Sequence, residues 1–266
     1  MMKKKSWFSK LYLAAIMAFF YLPIVYVVLF SFNASRSLTN FTGFSLQWYQ
    51  KMFATREMME SIYYSTLIAI IATIVSTAVG TIVAIGLSKS SRLVKEVVTQ
   101  VNNLPMLNPD IVTAIGFMLF FSTLGIPTGF GTLLLAHIVF CIPYVILSVM
   151  PKLRQLDDNV AEAALDLGCT PFEALYKVII PQIKEGIVSG ALVAFTMSFD
   201  DFVISYFTTG PGINNISTYV YATTKRINPS VNALSTIIVI AITIILVITN
   251  VLPMIRARRK NDEEIA

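Results

Sequence analysis

At 266 residues the chain is 56% hydrophobic and only 13% charged, with a formal net charge of +5. Soluble domains carry about 25% charged residues, so water is excluded as the main solvent, and the apolar residues fall in runs near the roughly 20 that cross a bilayer as a helix. The positive balance does not mark a nucleic-acid binder, because no basic helix interleaved with aromatics is present to track a phosphate backbone.

Lys3, Lys4 and Lys5 lead into an apolar run at 11–32. A secretory signal has an apolar stretch of only about 7–15 residues followed by a small-residue cleavage site. This run is longer and has no such site, so it reads as a retained first span. Further runs follow at 63–88, 97–121, 131–150, 186–208 and 231–252. Lipid offers an open backbone no hydrogen-bond partners. The expected fold class is therefore all-α, a polytopic membrane protein with six transmembrane helices in a single domain over 1–266. Six spans put both termini on one side. With that side cytoplasmic, only Arg36, Lys51, Arg56, Lys225 and Arg226 of the 20 basic residues lie outside, a strong positive-inside bias. The basic balance is thus a topology signal, and RARRK at 256–260 reads as a stop-transfer flank. Cys141 lies in an apolar run and Cys169 in a polar segment, so reduced thiols are expected and no disulfide framework.

The outer loop 33–62 carries Trp48 and Tyr49, which serve either as headgroup-level anchors or as contacts for a partner or substrate. The outer loop 210–230 opens with Gly-Pro-Gly. In the third run, Asn108-Pro109-Asp110 looks like a helix restart, with Asn108 as cap, Pro109 at the first helical position and Asp110 favoured by the helix dipole. A broken helix at membrane depth is tolerated beside protein or a cavity, so Asp110 equally fits the lining of a wet pathway. His137, in the fourth run, reads as a hydrogen-bonded packing residue between helices.

The segment 151–185, between the fourth and fifth runs, is too long for a turn. Asp157 or Asp158 caps a first helix through Leu167, and Gly168 supplies the permissive residue beyond it. Thr170, Pro171 and Glu173 form a capping box with proline at the first helical position, starting a second helix expected to end near Pro181. Six carboxylates stand against four cations here, so the hairpin is acidic on an otherwise basic face. Its alanines admit a close neighbour, and Leu165, Leu167, Phe172 and Leu175 offer apolar knobs. It either packs beneath its own membrane domain or docks on a partner.

Asp200 and Asp201 fall in the fifth run. A carboxylate at the bilayer centre costs at least about 2.5–3.5 kcal/mol, and no Lys or Arg lies within the six runs to neutralise these two or Asp110. Two readings stand: hydrogen bonding to hydroxyls such as Thr196 and Ser205, or a wet pathway whose missing partner is a cationic solute. Adjacent residues of a helix point about 100° apart, so one of the two aspartates would face the pathway squarely. Phe199, Phe202, Tyr206 and Phe207 would hold a methylene chain and offer cation–π contacts, or simply pack. No catalytic or metal-ligating constellation is read.

Glu162-Ala163-Ala164, Gly168 three residues later and Pro181 after the second helix resemble the EAA loop of binding-protein-dependent ABC importer permeases, E-A-A-x3-G-x9-I-x-L-P. Val178 and Ile180 replace its isoleucine and leucine. The placement between the fourth and fifth of six spans resembles the type I importer (MetI-like) permease fold. SFNASR near the first run, NPDIVTAI in the third and SFDDFVISYFTTGP in the fifth resemble the spermidine/putrescine permease family over most of the chain. The resemblance implies a permease subunit in the bacterial plasma (inner) membrane, taking up polyamines. It implies a homologous second permease subunit, two copies of an ATP-binding subunit and an extracytoplasmic polyamine-binding protein. ATP and Mg would be bound by the partner, since this chain has no G-x-x-x-x-G-K-[ST] phosphate loop. Glu162, Ala163, Ala164, Asp166, Gly168, Glu173 and Pro181 would couple to the ATPase, and Trp48, Asp110, Asp200, Asp201, Phe199 and Tyr206 would line the substrate pathway. Other solutes of the same importer class (ferric ion, an amino acid or an anion) are the alternatives, although an anion pathway should show Arg or Lys in the spans. A secondary cation transporter leaves the hairpin unexplained.

Overall fold

The structure is a computed structural model that describes residues 7–157, 159–223 and 228–247. Twelve α-helices and no strand are found among them: α1 (Trp7–Ser31), α2 (Gln47–Ala54), α3 (Arg56–Ser88), α4 (Arg92–Leu107), α5 (Asp110–Thr123), α6 (Phe130–Arg154), α7 (Asn159–Asp166), α8 (Pro171–Ala174), α9 (Ile180–Phe199), α10 (Val203–Thr208), α11 (Ile216–Thr223) and α12 (Pro229–Leu246). Four stretches are long and apolar enough to cross a membrane as single helices, Ser9–Ser31, Arg56–Ser88, Phe130–Arg154 and Pro171–Phe199. They fall on the first, second, fourth and fifth apolar runs. The last run continues into 248–252, which lie outside the described residues, as do Asp158, Lys225, Arg226 and the basic flanks at 1–6 and 256–260.

Two of the six runs depart from the straight helices expected of them. The third is a pair, α4 and α5, bent by 104°. Asn108 has ψ 146° and Pro109 ψ 136°, because a residue before proline is driven out of the helical region. The helix therefore restarts at Asp110, one residue later than expected, and Asn108 closes α4 instead of capping α5. The fifth run breaks after Phe199 and resumes at Val203. At its other end, the second hairpin helix does not stop at Pro181. It passes from α8 through a π-helical turn, Leu175–Ile179, directly into α9. Pro181 has no N–H to give the preceding turn, and a widened turn is a common way for a helix to absorb such a loss.

The chain forms two compact units, Met1–Met59 with Val220–Ala266, and Glu60–Tyr219. In the first, α12 packs against both α1 and α2. Buried Asn33 organises the loop between α1 and α2: its Nδ2 donates to the Ser37 and Asn40 carbonyls at 2.9 Å, and its Oδ1 accepts from the Thr42 amide at 2.8 Å.

In the second unit α6 packs along α9, the most extensive helix pair among the described residues. Small residues Gly186, Gly190 and Ala194, four apart and buried on α9, let Lys152, Ser148, Val145 and Cys141 of α6 approach. Lipid tails are as apolar as leucine, so close van der Waals packing of this kind, not expulsion of apolar surface from water, drives helix association in a membrane. Ala84, Ala114, Phe140 and Ile204 bring α3, α5, α6 and α10 into the same core.

Candidate functional site

The break in the fifth run is built by its two aspartates. Asp200 ends α9, with φ −99° and ψ 1°. The Asp201 carboxylate starts the next helix: it accepts from the amides of Ile204 at 3.2 Å and Ser205 at 2.7 Å and from the Ser205 hydroxyl at 2.9 Å. Free amides at a helix start and a charged acceptor make strong hydrogen bonds, which is how a carboxylate only 8% exposed is kept without a Lys or Arg.

Ser205 is the hub of a larger network. Its hydroxyl also meets Nε2 of His137 at 3.0 Å and Nδ2 of Asn215 at 2.7 Å, while Nδ1 of His137 lies 2.7 Å from the hydroxyl of Ser198. Asn215 donates as well to the Asp201 carbonyl at 3.0 Å. The His137 ring is 1% exposed and its Nε2 stands 3.6 Å from the Asp201 carboxylate.

Asp200 differs in every respect. Its carboxylate is exposed, and among the described residues no other residue donates a hydrogen bond to it; Ser217 reaches only its backbone carbonyl, at 3.2 Å. Since the two aspartates sit in a non-helical break, the 100° rule for neighbours on one helix does not apply. What separates them is that one carboxylate is used by the fold and the other is not. The Ser205 contact was legible as an alternative in the sequence. Ser198 and Asn215 were not singled out, although polar residues inside or beside apolar runs were the available signal.

The remaining candidates are dispersed. Phe199 stacks on Phe195 at 5.6 Å before the break, and half-exposed Tyr206 pairs with Phe202 at 5.5 Å after it. Asp110 is exposed in the first turn of α5, the helix that packs along α10. Trp48 belongs to the other unit. It is 6% exposed, its indole N–H donates to the Asn33 carbonyl at 2.7 Å, and the Lys51 ammonium lies 5.7 Å from its ring.

The hairpin has the expected caps. The Asp157 carboxylate accepts from the Asn159 amide at 3.0 Å, and Gly168 takes φ +87°, a conformation that side chains resist. Thr170 and Glu173 close the capping box, with the Thr170 amide donating to the Glu173 carboxylate at 3.0 Å and the Glu173 amide to the Thr170 hydroxyl at 3.3 Å. Lys177, 2.7 Å from the Glu173 carboxylate, and the Thr170 donors hold the Glu173 carboxyl down at about 2. Ala164 is buried, whereas Glu162, Ala163, Asp166 and Pro181 are exposed. Leu167 is 86% and Phe172 74% exposed, so the hairpin shows an apolar face that nothing described in the chain covers.

Several apolar helices, two of them broken beside carboxylates, joined by a capped and unpartnered hairpin, define a multi-pass membrane permease. Residues 76–260 match the family model described as "Binding-protein-dependent transport system inner membrane component". The chain belongs to this family. It is 35% identical over 230 residues to the spermidine/putrescine transport system permease protein PotC of Escherichia coli K12, covering 86% of this chain and 87% of that one. It is also 35% identical over 235 residues to the E. coli K12 putrescine transport system permease protein PotI, with 85% and 84% covered. A PotC homolog of Mycoplasma genitalium is 28% identical over 275 residues, covering 97% and 96%. Among solved structures, a chain of a bacterial ABC transporter involved in the import of the acidic polysaccharide alginate superposes with a TM-score of 0.68 over 92% of this chain and 94% of that one, at 15% identity. That likeness concerns the fold.

Proposed function

We propose that the chain is a permease subunit of an ATP-driven importer of polyamines, forming half of the translocation pathway beside a homologous second permease. The observation that carries this reading is Asp200: an exposed carboxylate with no donor from another of the described residues, in a helix break within an apolar span. Such a charge is costly in lipid and becomes favourable when a cation passes. Asp110, exposed at the second break, is a further pathway carboxylate under this reading, and Phe199 and Tyr206 are apolar walls for a methylene chain. Trp48, buried with its indole N–H donated to the Asn33 carbonyl, holds its own loop, an arrangement that favours neither a headgroup-level anchor nor an open substrate contact.

The hairpin is the coupling element for a separate ATP-binding subunit, present in two copies, which would bind ATP and Mg. Its uncovered Leu167 and Phe172 are the natural contact. Closure of the ATPase pair on the hairpin would bias the helices between inward-open and outward-open states through differential binding. The charge asymmetry of the sequence supports cytoplasmic termini, with an extracytoplasmic polyamine-binding protein delivering solute at the opposite face.

The test is uptake of labelled spermidine by cells expressing the whole complex. Asp200→Asn should lower uptake by about tenfold, the equivalent of roughly 1.4 kcal/mol, at unchanged membrane abundance. Unchanged uptake and unchanged preference among polyamines would sink the carboxylate site.

A further inference from the structure

His137 touches both sides of the break. Ser198, 2.7 Å from its Nδ1, lies on the last turn of α9, and Ser205, 3.0 Å from its Nε2, lies on α10. A hydroxyl has one proton to donate. That of Ser205 goes to the Asp201 carboxylate at 2.9 Å, so toward Asn215 and His137 the same oxygen acts as acceptor. Nε2 of His137 is thereby assigned as a donor. Further bonds tie α6 to both segments: Cys141, one turn along α6, donates to the Ala194 carbonyl at 3.4 Å, and Thr132 donates to the Thr208 carbonyl at 2.9 Å. α6 thus grips α9 before the break and α10 at both its start and its end.

We propose that His137 is a positioning residue for solute passage. It clamps the two helix ends through Ser198 and Ser205 and retains Asp201 in a closed network, which leaves Asp200 as the carboxylate that meets the cation. The division of labour between the aspartates rests on the polyamine reading above; the clamp does not. Side-chain networks of this kind hold a unique arrangement when every member is satisfied and lose it when one is removed.

The test uses the assembled complex with two variants at this position. His137→Leu keeps the approximate bulk without a donor, and His137→Gln places an amide nitrogen near the position of Nε2. His137→Leu should cut spermidine uptake by about tenfold at unchanged membrane abundance, and His137→Gln should stay within about threefold of the parent. Combining His137→Leu with Asp201→Asn should add less than about twofold to the stronger single effect, because both disrupt one network. Uptake within about twofold of the parent for His137→Leu, or multiplication with Asp201→Asn, overturns the proposal. Where His137→Leu prevents assembly, Ser205→Ala takes its place with the same expected loss, and parental uptake overturns the proposal.

A second readout is independent of the solute. In a Cys169→Ser background, alkylation of Asp200→Cys by a cationic thiol reagent should change in rate by at least about fivefold on adding His137→Leu, and stay unchanged with His137→Gln. Unaltered rates with both overturn the clamp. Altered rates, together with a parent complex that takes up no polyamine, leave the clamp standing and overturn the substrate reading alone.

Discussion

The break at 200–202 and the hairpin at 151–185 are both interruptions of long helices, and they are completed in opposite ways. At the break, the polar groups find partners within the chain: Asp201, Ser198, Ser205, His137 and Asn215 satisfy one another, while the Asp200 carboxylate takes no donor from another of the described residues. At the hairpin, the polar groups are satisfied by caps, but Leu167 and Phe172 stay uncovered. In lipid an unpaired charge is the expensive feature, while in water it is uncovered apolar surface. Each region therefore carries a feature its own solvent penalises, and the proposed roles, solute at the break and a protein partner at the hairpin, would relieve it.

The largest effect expected outside the network comes from the far end of the break. Gly210 lies so close to the loop before α6 that a Cβ there would meet the backbone oxygen of Thr128 at 2.2 Å. Backbone does not yield as a flexible side chain does, and overpacking costs about 1–3 kcal/mol. Gly210→Ala should reduce the amount of assembled permease in membranes several-fold, read by quantitative blotting; parental abundance would show that α10 is less tightly seated than the Thr132–Thr208 bond implies.

Gly168 is glycine for the opposite reason. A Cβ there meets nothing within 4 Å, so the whole cost of substitution is its φ of +87°. Gly168→Val should cost about 1–3 kcal/mol of hairpin geometry without reducing membrane abundance. Its loss should appear as retention of less ATP-binding subunit on purification in detergent. Phe172→Ala sharpens the comparison: the side chain is exposed, so permease abundance should not change, while binding-protein-stimulated ATP hydrolysis by the complex should fall. An abundance loss with Phe172→Ala would mean that the hairpin packs within its own chain.

Much of this was legible from residue pattern. The capping box at Thr170–Glu173 and the glycine stop at Gly168 are local rules, and they hold because nearby backbone alone decides them. The helix restart at Asp110 was visible in Asn-Pro-Asp and misplaced by one residue, since the proline acts on the residue before it. The end of the hairpin was misread because a proline normally stops or kinks a helix, while the π-helical turn at Leu175–Ile179 carries this one through. The break at Asp200 was legible only in part. Asp201 accepting from the Ile204 and Ser205 amides is a local cap, but the break is also stabilised by His137, 61 residues from Ser198, and by Asn215, contacts that only tertiary packing supplies.

The smallest expected effect is also the one with a definite sign in pH. The Glu173 carboxyl is lowered from 4.5 to about 2, chiefly by the Lys177 hydrogen bond and then by the Thr170 donors, and Lys177 is raised from 10.5 by the same pair. A depressed carboxylate contributes stability that is complete above its unfolded value and lost as pH falls from about 4.5 toward 2. The raised lysine contributes stability present below 10.5 and lost as pH rises beyond it. Hydrogen exchange at residues 170–177, corrected for intrinsic rates, should therefore be flat through neutrality and lose protection only at the acidic and alkaline ends. Glu173→Gln should remove the acidic limb, because its amide does not titrate. A step in protection between pH 5 and pH 8 would point instead to a titrating partner pressed against the hairpin, and so to the covered surface that the exposed Leu167 and Phe172 anticipate.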